Sequence, residues 1–261
     1  MKVTMFVVRS VRRLKSLQRF EQSVLPIRPI TWSSVQSMES NISVESDNNC
    51  LNNDDYFGVS DLFTKQQLME NLVHMGHKTG TWNPLMKPYI LGERLGVHII
   101  NLDETKRHLV LSLNVLAHIV YRRGSVLFIH SRPEFDFLTQ RTARECGEMF
   151  VSSKWVPGSL TNRSKVLDSA WLPDVAVFLS TKCDKTAIKE VAMCNIPSIA
   201  VVDTDCNPQI IMYPIPGNDD SPAAVSFFCH IFKTTILLAK EKRRLNCTER
   251  VEDDRQEELN A

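Results

Sequence analysis

The chain has 261 residues, of which 31 are Lys or Arg and 30 are Asp or Glu, so its formal net charge is +1. This near balance excludes a uniformly basic or acidic surface, and any patch that binds nucleic acid must come from local clustering of charge. No apolar run approaches the roughly 20 residues that a transmembrane helix needs, so we expect a soluble protein without membrane contacts. The seven Cys residues are scattered and form no C-x-x-C pair, which favours reduced intracellular thiols over a disulfide or metal framework.

The first 25 residues have the composition of a mitochondrial transit peptide. Six Lys and Arg residues between Lys2 and Arg19 alternate with apolar residues, and the first acid is Glu21. Acid-free, Arg-rich, amphipathic starts are typical of such peptides. A secretory signal fits less well, because the short apolar stretch at residues 3–8 precedes most of the positive charge. A disordered basic arm or a nuclear localisation signal is the alternative.

Residues 26–60 are rich in Ser, Asn and Asp and have no sustained period, which predicts a flexible extension. A folded domain is expected over residues 61–241, followed by a charged C-terminal tail over residues 242–261 that has no apolar face. The domain begins with a helix that should end near Gly76. A long segment follows, up to residue 102, that is rich in His, Lys, Trp and Asn, and loops of this kind usually carry function.

From residue 97 onward, predicted strands and helices alternate. The strands cover residues 97–102, 126–130, 149–152, 174–180 and 197–203. These segments are almost wholly apolar, as strands buried on both faces of a parallel sheet must be. The order predicts a three-layer α/β/α domain with a mainly parallel sheet of about five strands. An edge strand at 210–217, where Pro214 and Pro216 would be tolerated, and a long helix from Ser221 complete the domain.

Local signals predict the helix ends. Asp103 is the expected N-cap of the helix that follows the first of these strands, and Gly124 is expected to end that helix. Ser131 and Glu134 have the spacing of a capping box. Asn162 is the expected cap of a short helix over the residues that follow it.

The sequence contains none of the usual phosphate-binding loops. Residues 103–106, after the strand at 97–102, read Asp-Glu-Thr-Lys without a glycine, and the chain has neither G-x-G-x-x-G nor G-x-x-x-x-G-K-[ST]. Backbone N–H groups can cradle phosphate only where glycine allows a close approach. We therefore predict no nucleotide and no other cofactor.

Catalytic and metal chemistry are also not predicted. His74 and His77 lie three residues apart, but no acid or Cys with ligand spacing lies near them in the sequence, so packing is favoured over a metal site. No G-x-S-x-G elbow is present. Four aspartates follow predicted strands, and we interpret them as caps and turn residues rather than catalysts: Asp203, Asp205, Asp219 and Asp220. The protein is not expected to be an enzyme.

Two segments carry residues suited to RNA. Lys and Arg neutralise phosphates, Asn can bond to sugars or base edges, and exposed Trp can stack on bases. The predicted contacts are His77, Lys78, Trp82, Asn83, Lys87, Arg94, Lys154, Trp155, Asn162, Arg163 and Lys165. For Trp82 and Trp155, packing against the sheet is an equally good alternative.

Seven collinear motifs between residues 61 and 240 resemble those of a known family, the universal small-subunit ribosomal protein two. They are VHMGHKTGTWNPLMKPYI with VHIINL (73–90 and 97–102), WVPGSLTN (155–162), LPD (172–174), AIKE (187–190), IP (196–197), VDT (202–204) and IPGNDD (215–220). Together with the Arg-rich start, the chain is similar to the mitochondrial member of that family.

The resemblance implies a flavodoxin-like domain that acts as a structural component, bound to small-subunit ribosomal RNA and neighbouring ribosomal proteins at the junction of head and body. Bacterial relatives carry a long coiled-coil insertion after the Thr-Asn motif, whereas only residues 163–170 follow it here. The implied function is structural, in subunit assembly and translation in the mitochondrial matrix. A flavodoxin-like domain or enzyme that binds a small molecule and a stand-alone RNA-binding regulator are the alternatives.

Overall fold

The structure is a computed structural model that describes residues 55–152, 154–162 and 172–260, with side chains described as far as residue 246. The predicted transit peptide and most of the predicted extension lie outside these ranges. The predicted helix after Asn162 lies outside them too, and so do the predicted contacts Arg163 and Lys165.

The described residues form eight strands and five α-helices. The strands are β1 Met75–Lys78, β2 Ile90–Arg94, β3 Val97–Ile100, β4 Val126–Ile129, β5 Met149–Val151, β6 Val175–Phe178, β7 Ser198–Val202 and β8 Tyr213–Pro216. The helices are α1 Lys65–Glu70, α2 Leu102–Tyr121, α3 Asp136–Cys146, α4 Lys185–Met193 and α5 Pro222–Asn260.

Five strands form one parallel sheet in the order β5-β4-β6-β7-β8. Successive side chains of a strand point to opposite faces, so Phe128 joins one buried cluster whereas Leu127 and Ile129 join another. All residues of β4, β6 and β7 are buried. The prediction of a five-stranded parallel α/β/α domain is confirmed, and β8, with its two prolines, lies at the edge of the sheet as expected.

Helices cover both faces of this sheet. The helices α2, α3 and α5 contribute Leu113, Ala143 and Phe232 to the cluster around Phe128. The opposite face is covered by α4, through Ile188 and its neighbours. Because both faces are covered, the strands can be apolar throughout. These continuous apolar runs are the reason why the strands could be predicted from the sequence.

The first part of α5, Pro222–Asn246, is long and apolar enough to cross a membrane by length and composition, with a mean hydropathy of 1.5. Half of its most apolar window is buried inside the domain. Phe228, Phe232 and Ile236 are at most 1% exposed. These side chains belong to the main core cluster, so α5 has the burial of a core helix of a globular domain.

The helix α5 continues to Asn260, past residue 242, where the charged tail was predicted to begin. Arg243 donates a hydrogen bond to the carbonyl of Val120 (3.0 Å), and the ammonium of Lys242 lies 4.6 Å from the ring centroid of Tyr56. Tyr56 itself lies in the predicted flexible extension. The packed region thus extends beyond both predicted boundaries, because long charged side chains can pack through their stems without producing an apolar period.

Residues 73–96 were predicted to be a loop, followed by a strand at 97–102 that would be the first of the parallel sheet. The strand is present as β3, but the loop and the sheet assignment are wrong. Residues 73–102 form a second sheet, in which β1, β3 and β2 pair antiparallel in that order. Two 3₁₀ helices, Thr79–Thr81 and Pro84–Tyr89, connect β1 to β2. The strands are four or five residues long and carry Gly, His and Lys, so they show no regular alternation of apolar residues. We call this unit the small sheet.

Two predicted helix ends near the small sheet are also wrong. The helix α1 ends at Glu70 rather than near Gly76, because Leu72 adopts a left-handed conformation (φ 58°) that turns the chain into β1. Asn101 caps α2 in place of Asp103, since its side-chain oxygen accepts a hydrogen bond from the N–H of Asp103 (3.0 Å).

The other two predicted helix ends also differ, Ser131 because a tertiary contact uses its side chain and Gly124 because it packs on the last turn of α2. Ser131 forms no capping box, since its hydroxyl donates to Asp184. The left-handed residue after α2 is Arg123 rather than Gly124. A Cβ on Gly124 would lie 2.5 Å from a methyl group of Ile119, so this glycine provides space for close packing.

Gly76 lets the small sheet approach the carboxyl end of β7. The N–H of His77 donates to the hydroxyl of Thr204 (2.9 Å), and the N–H of Asn83 donates to the Thr204 carbonyl (2.8 Å). A Cβ on Gly76 would lie 2.6 Å from the Thr204 methyl and 3.1 Å from the backbone oxygen of His98. Both hydrogen bonds therefore depend on the absence of a side chain at this position.

We predict that Gly76→Ala lowers the free energy of unfolding by about 1–3 kcal/mol, because backbone on both sides of the contact must shift. Gly80→Ala is the matched control, since a Cβ at Gly80 meets no described atom within 4 Å, and its effect should stay within about 0.5 kcal/mol. Urea unfolding of the two variants measures the difference. Equal destabilisation of both would contradict the role given to Gly76.

Candidate nucleic-acid interface

Three of the predicted contacts, Lys78, Lys87 and Arg94, are exposed on the small sheet and its adjoining 3₁₀ helix. Lys78 ends β1 and Arg94 ends β2, and both pair with Val97 of the central strand β3. The two cations therefore flank the same point of the sheet from opposite sides. Within the described part of the chain none of the three forms an ion pair, so all three charges are available to phosphate groups.

An open groove with a volume of about 210 Å³ lies beside these cations. We call it the Trp82 groove. Its lining residues are Trp82, Lys87, Ile90, Gly92, Glu93 and His98. The ring of Trp82 lies 5.3 Å from that of His98, with the two planes tilted by 51°. Trp82 is half-buried, so part of the indole packs and part faces the groove.

Asn83 and Trp155 have structural roles. The side-chain oxygen of Asn83 accepts a hydrogen bond from the N–H of Leu85 (3.0 Å) and so begins the second 3₁₀ helix. Trp155 is 7% exposed and packs in the second core cluster with Met86 and Leu160. The packing alternative therefore holds for Trp155.

The second predicted segment lies on the same face of the parallel sheet as the 3₁₀ helix that carries Lys87, because Met86 and Trp155 share one buried cluster. Its backbone is anchored by Glu190, whose carboxylate accepts hydrogen bonds from the N–H groups of Gly158 (2.6 Å) and Leu160 (3.2 Å). Lys154 and Asn162, at its two ends, are exposed.

His77 points inward, to a crevice at the carboxyl ends of β7 and β8. Its Nδ1 lies 3.0 Å from a carboxylate oxygen of Asp203, and its Nε2 lies 3.1 Å from Asp220 and 3.6 Å from Asp205. The hydrogen bond with Asp203 and the attraction of the other two carboxylates outweigh burial and raise the pKa of His77 to about 9. At neutral pH the imidazolium thus anchors β1 to the parallel sheet.

Arg132, which follows β4, extends this network. Its guanidinium lies 3.4 Å from Asp219 and forms a second ion pair with Asp220. Burial raises the pKa of Asp219 to about 6, although Ser180 donates a hydrogen bond to it (2.6 Å) and Arg132 lies beside it. Doubly wound sheets bind ligands at this edge, and here paired protein side chains occupy it.

Three residues of this crevice could also hold a cation. His77, Asp203 and Asp220 each place one ligand atom within 4.8 Å of the others, and imidazole and carboxylate are both zinc ligands. A metal binds the neutral imidazole, so it would compete with the proton on His77.

No local pattern in the sequence reveals this cluster, because no acid with ligand spacing lies near His77 in the chain. The carboxylates come instead from the residues after β7 and β8. The sequence does contain one signal for the cluster, because a pair of acids follows each of two predicted strands. The carboxyl ends of parallel strands meet at one edge of a sheet, so these acids are expected to lie close together.

We predict that the His77 interaction makes stability depend on pH between about 6.5 and 9. The pKa of His77 rises from 6.5 to about 9 on folding, so its stabilising effect is complete below pH 6.5 and is lost as the pH rises through 9. The variant His77→Gln keeps a hydrogen-bond donor but cannot titrate. In urea unfolding with a chelator present, the stability difference between the two proteins should fall by about 1–3 kcal/mol over this range. A constant difference would contradict the assignment.

Comparison with known proteins agrees with this architecture. A sequence profile of the family described as ribosomal protein S2 matches residues 68–171 and 165–239. These segments include the small sheet, the parallel sheet and the buried part of α5. They overlap at residues 165–171, close to the point where the bacterial coiled-coil insertion was expected to be missing.

Individual relatives give the same result. The small ribosomal subunit protein uS2m of Bos taurus is 44% identical over 199 residues, covering 74% of this chain and 68% of the relative. The small ribosomal subunit protein uS2 of Ehrlichia ruminantium is 36% identical over 220 residues, covering 68% of this chain and 77% of the relative. The uS2 protein of Agrobacterium fabrum is 32% identical over 212 residues, covering 65% of this chain and 83% of the relative. The chain therefore belongs to the ribosomal protein S2 family.

Proposed function

We propose that this protein is a structural constituent of the mitochondrial small ribosomal subunit, where it binds ribosomal RNA and neighbouring ribosomal proteins. Its membership of the ribosomal protein S2 family is the observation that carries the proposal. The similarity to bovine uS2m and the Arg-rich first 25 residues support a location in the mitochondrial matrix. The role is structural, in subunit assembly and mitochondrial translation, and requires no catalysis.

The proposed RNA-binding surface consists of the predicted contacts that are exposed, together with the half-buried Trp82, which lines the groove. On the small sheet these are Lys78, Trp82, Lys87 and Arg94. On the second segment they are Lys154 and Asn162. The predicted contacts Arg163 and Lys165 follow Asn162 in the sequence and are included in the proposal. The remaining described contacts have internal roles. They stabilise the backbone that carries the exposed residues, and they are His77, Asn83 and Trp155.

Charge distribution supports this assignment. The chain as a whole carries a net charge of only +1, yet the three cations of the small sheet have no carboxylate partner within the described residues. Inside the crevice, by contrast, His77 and Arg132 are paired with acids. Local unpaired cations on an otherwise balanced protein are suited to phosphate contacts.

We predict that the full chain, expressed in cultured cells with a C-terminal tag, sediments with the small ribosomal subunit in a sucrose gradient. Mass spectrometry should find small-subunit ribosomal proteins in the same fractions. Tagged protein confined to the top of the gradient in growing cells would contradict the proposed function. A bound small molecule or flavin absorbance would favour a ligand-binding domain, and RNA crosslinks outside ribosomal RNA would favour a stand-alone regulator.

Replacing Lys78, Lys87 and Arg94 together by Ala should weaken this association. Each cation that neutralises a phosphate adds about 0.7–0.9 to the steepness with which log affinity falls against log salt, and its removal also takes away binding energy. The variant should therefore dissociate from the subunit at a lower KCl concentration than the wild type. Sedimentation over a series of KCl concentrations measures the shift. The isolated variant should keep the wild-type thermal unfolding temperature, because the three side chains are exposed.

The matched control for this variant removes three exposed cations elsewhere: Arg122, Lys185 and Lys189. It changes the net charge by the same amount, so a general electrostatic effect would appear in both variants. Dissociation of the two variants at the same KCl concentration would contradict the proposed surface.

A further inference from the structure

We propose that the Trp82 groove binds one unstacked base of the small-subunit ribosomal RNA. This inference rests on the proposed function and assigns to one part of the surface a defined chemical partner, a single flipped-out nucleotide. The shape of the groove, its aromatic lining, the unfilled position at Gly92 and the surrounding charge support it.

The groove has the shape and walls that a nucleobase requires. It is open to solvent and has a volume of about 210 Å³, which is enough for one planar base. Trp82 and His98 pack against each other with ring centroids 5.3 Å apart, so a base would stack on the outside of this pair, and Ile90 adds an apolar side. Proteins that bind RNA with exposed bases commonly stack those bases on aromatic side chains.

Gly92 leaves the groove open on the side of β2. It lies within this strand, beside a shift in the pairing register between Ile90 and Gly92, and a Cβ there would meet no described atom within 4 Å. A glycine inside a strand marks either a bulge or the close approach of a ligand or another backbone. Neither a positive φ nor internal packing requires glycine here, so the position is free for a ligand to approach.

His98 contributes a ring to the groove and no hydrogen-bonding edge. Both ring nitrogens are buried, and neither has a hydrogen-bond partner among the described residues. Because these nitrogens are closed to solvent, a base in the open groove would meet the aromatic pair of Trp82 and His98 by stacking.

Charge favours a nucleotide over a protein strand as the occupant. The exposed edge of β2 could in principle pair with another strand. Lys87 lines the groove, Arg94 ends the same strand, and neither is ion-paired within the described part of the chain. Glu93 is the only carboxylate among the lining residues. Two cations beside aromatic rings match a phosphate attached to a base.

The variant Gly92→Val tests the inference, because Gly92 lines the groove and a Cβ there meets no described atom within 4 Å, so a larger side chain would take up space in the groove. Gly80→Val is the control, since a Cβ at Gly80 also meets no described atom within 4 Å and Gly80 does not line the groove. Thermal unfolding of the purified full chains should be close to wild type for both variants. Tagged versions are expressed in cells, and small subunits are then isolated by sedimentation and irradiated with ultraviolet light.

Mass spectrometry of the wild-type and Gly80→Val subunits should find a nucleotide adduct on Trp82 or His98. In subunits that contain Gly92→Val, the adduct yield should fall at least about tenfold, in line with the loss of one stacked base. If the wild-type protein sediments with the small subunit but carries no nucleotide adduct on Trp82 or His98, this inference is overturned and the proposed function is not affected. An unchanged adduct in Gly92→Val, or a crosslink from the groove to a protein strand, would also overturn it. Failure of the wild type to co-sediment would instead overturn the proposed function.

Discussion

The close approach of β1 to Thr204 is the constraint on which the described site depends. The parallel sheet ends in a buried threonine that binds the backbone of both His77 and Asn83. Because Gly76 has no side chain, β1 can lie near enough for the His77 ring to reach the carboxylates beyond β7 and β8. A larger residue would separate the two sheets and leave buried charges without partners, which is strongly unfavourable.

The docked small sheet therefore has two kinds of charge. Those that face the crevice are paired, as His77 is with Asp203 and Arg132 is with Asp219. Those that face solvent, such as Lys87, have no carboxylate partner within the described residues. Paired charges hold the sheet in position, and unpaired charges remain able to neutralise phosphate. One segment of 30 residues can thus be both an integral part of the fold and a binding surface.

The sequence predicted well where burial on both faces of the parallel sheet imposes continuous apolar runs, as in β4, β6 and β7. It predicted the small sheet badly, because strands of four or five residues with glycine and histidine have no period to detect. It also misjudged helix ends where a neighbouring polar group competed for the capping residue, as Asp184 does for Ser131. Among the predicted contacts, Lys78 and Lys87 are exposed, whereas Trp155 belongs to the core.

The sequence by itself determined the family of this protein, the parallel α/β/α core and the presence of basic residues suited to RNA. Collinear motifs and apolar runs are properties of the chain, and they can be identified before folding. Only the tertiary structure decided that His77 faces three carboxylates, that Trp155 is buried and that Trp82 and His98 line an open groove. These features arise from contacts between distant positions, such as His77 with Thr204, 127 residues apart. Local sequence patterns do not encode such contacts, because they depend on how the sheets pack together.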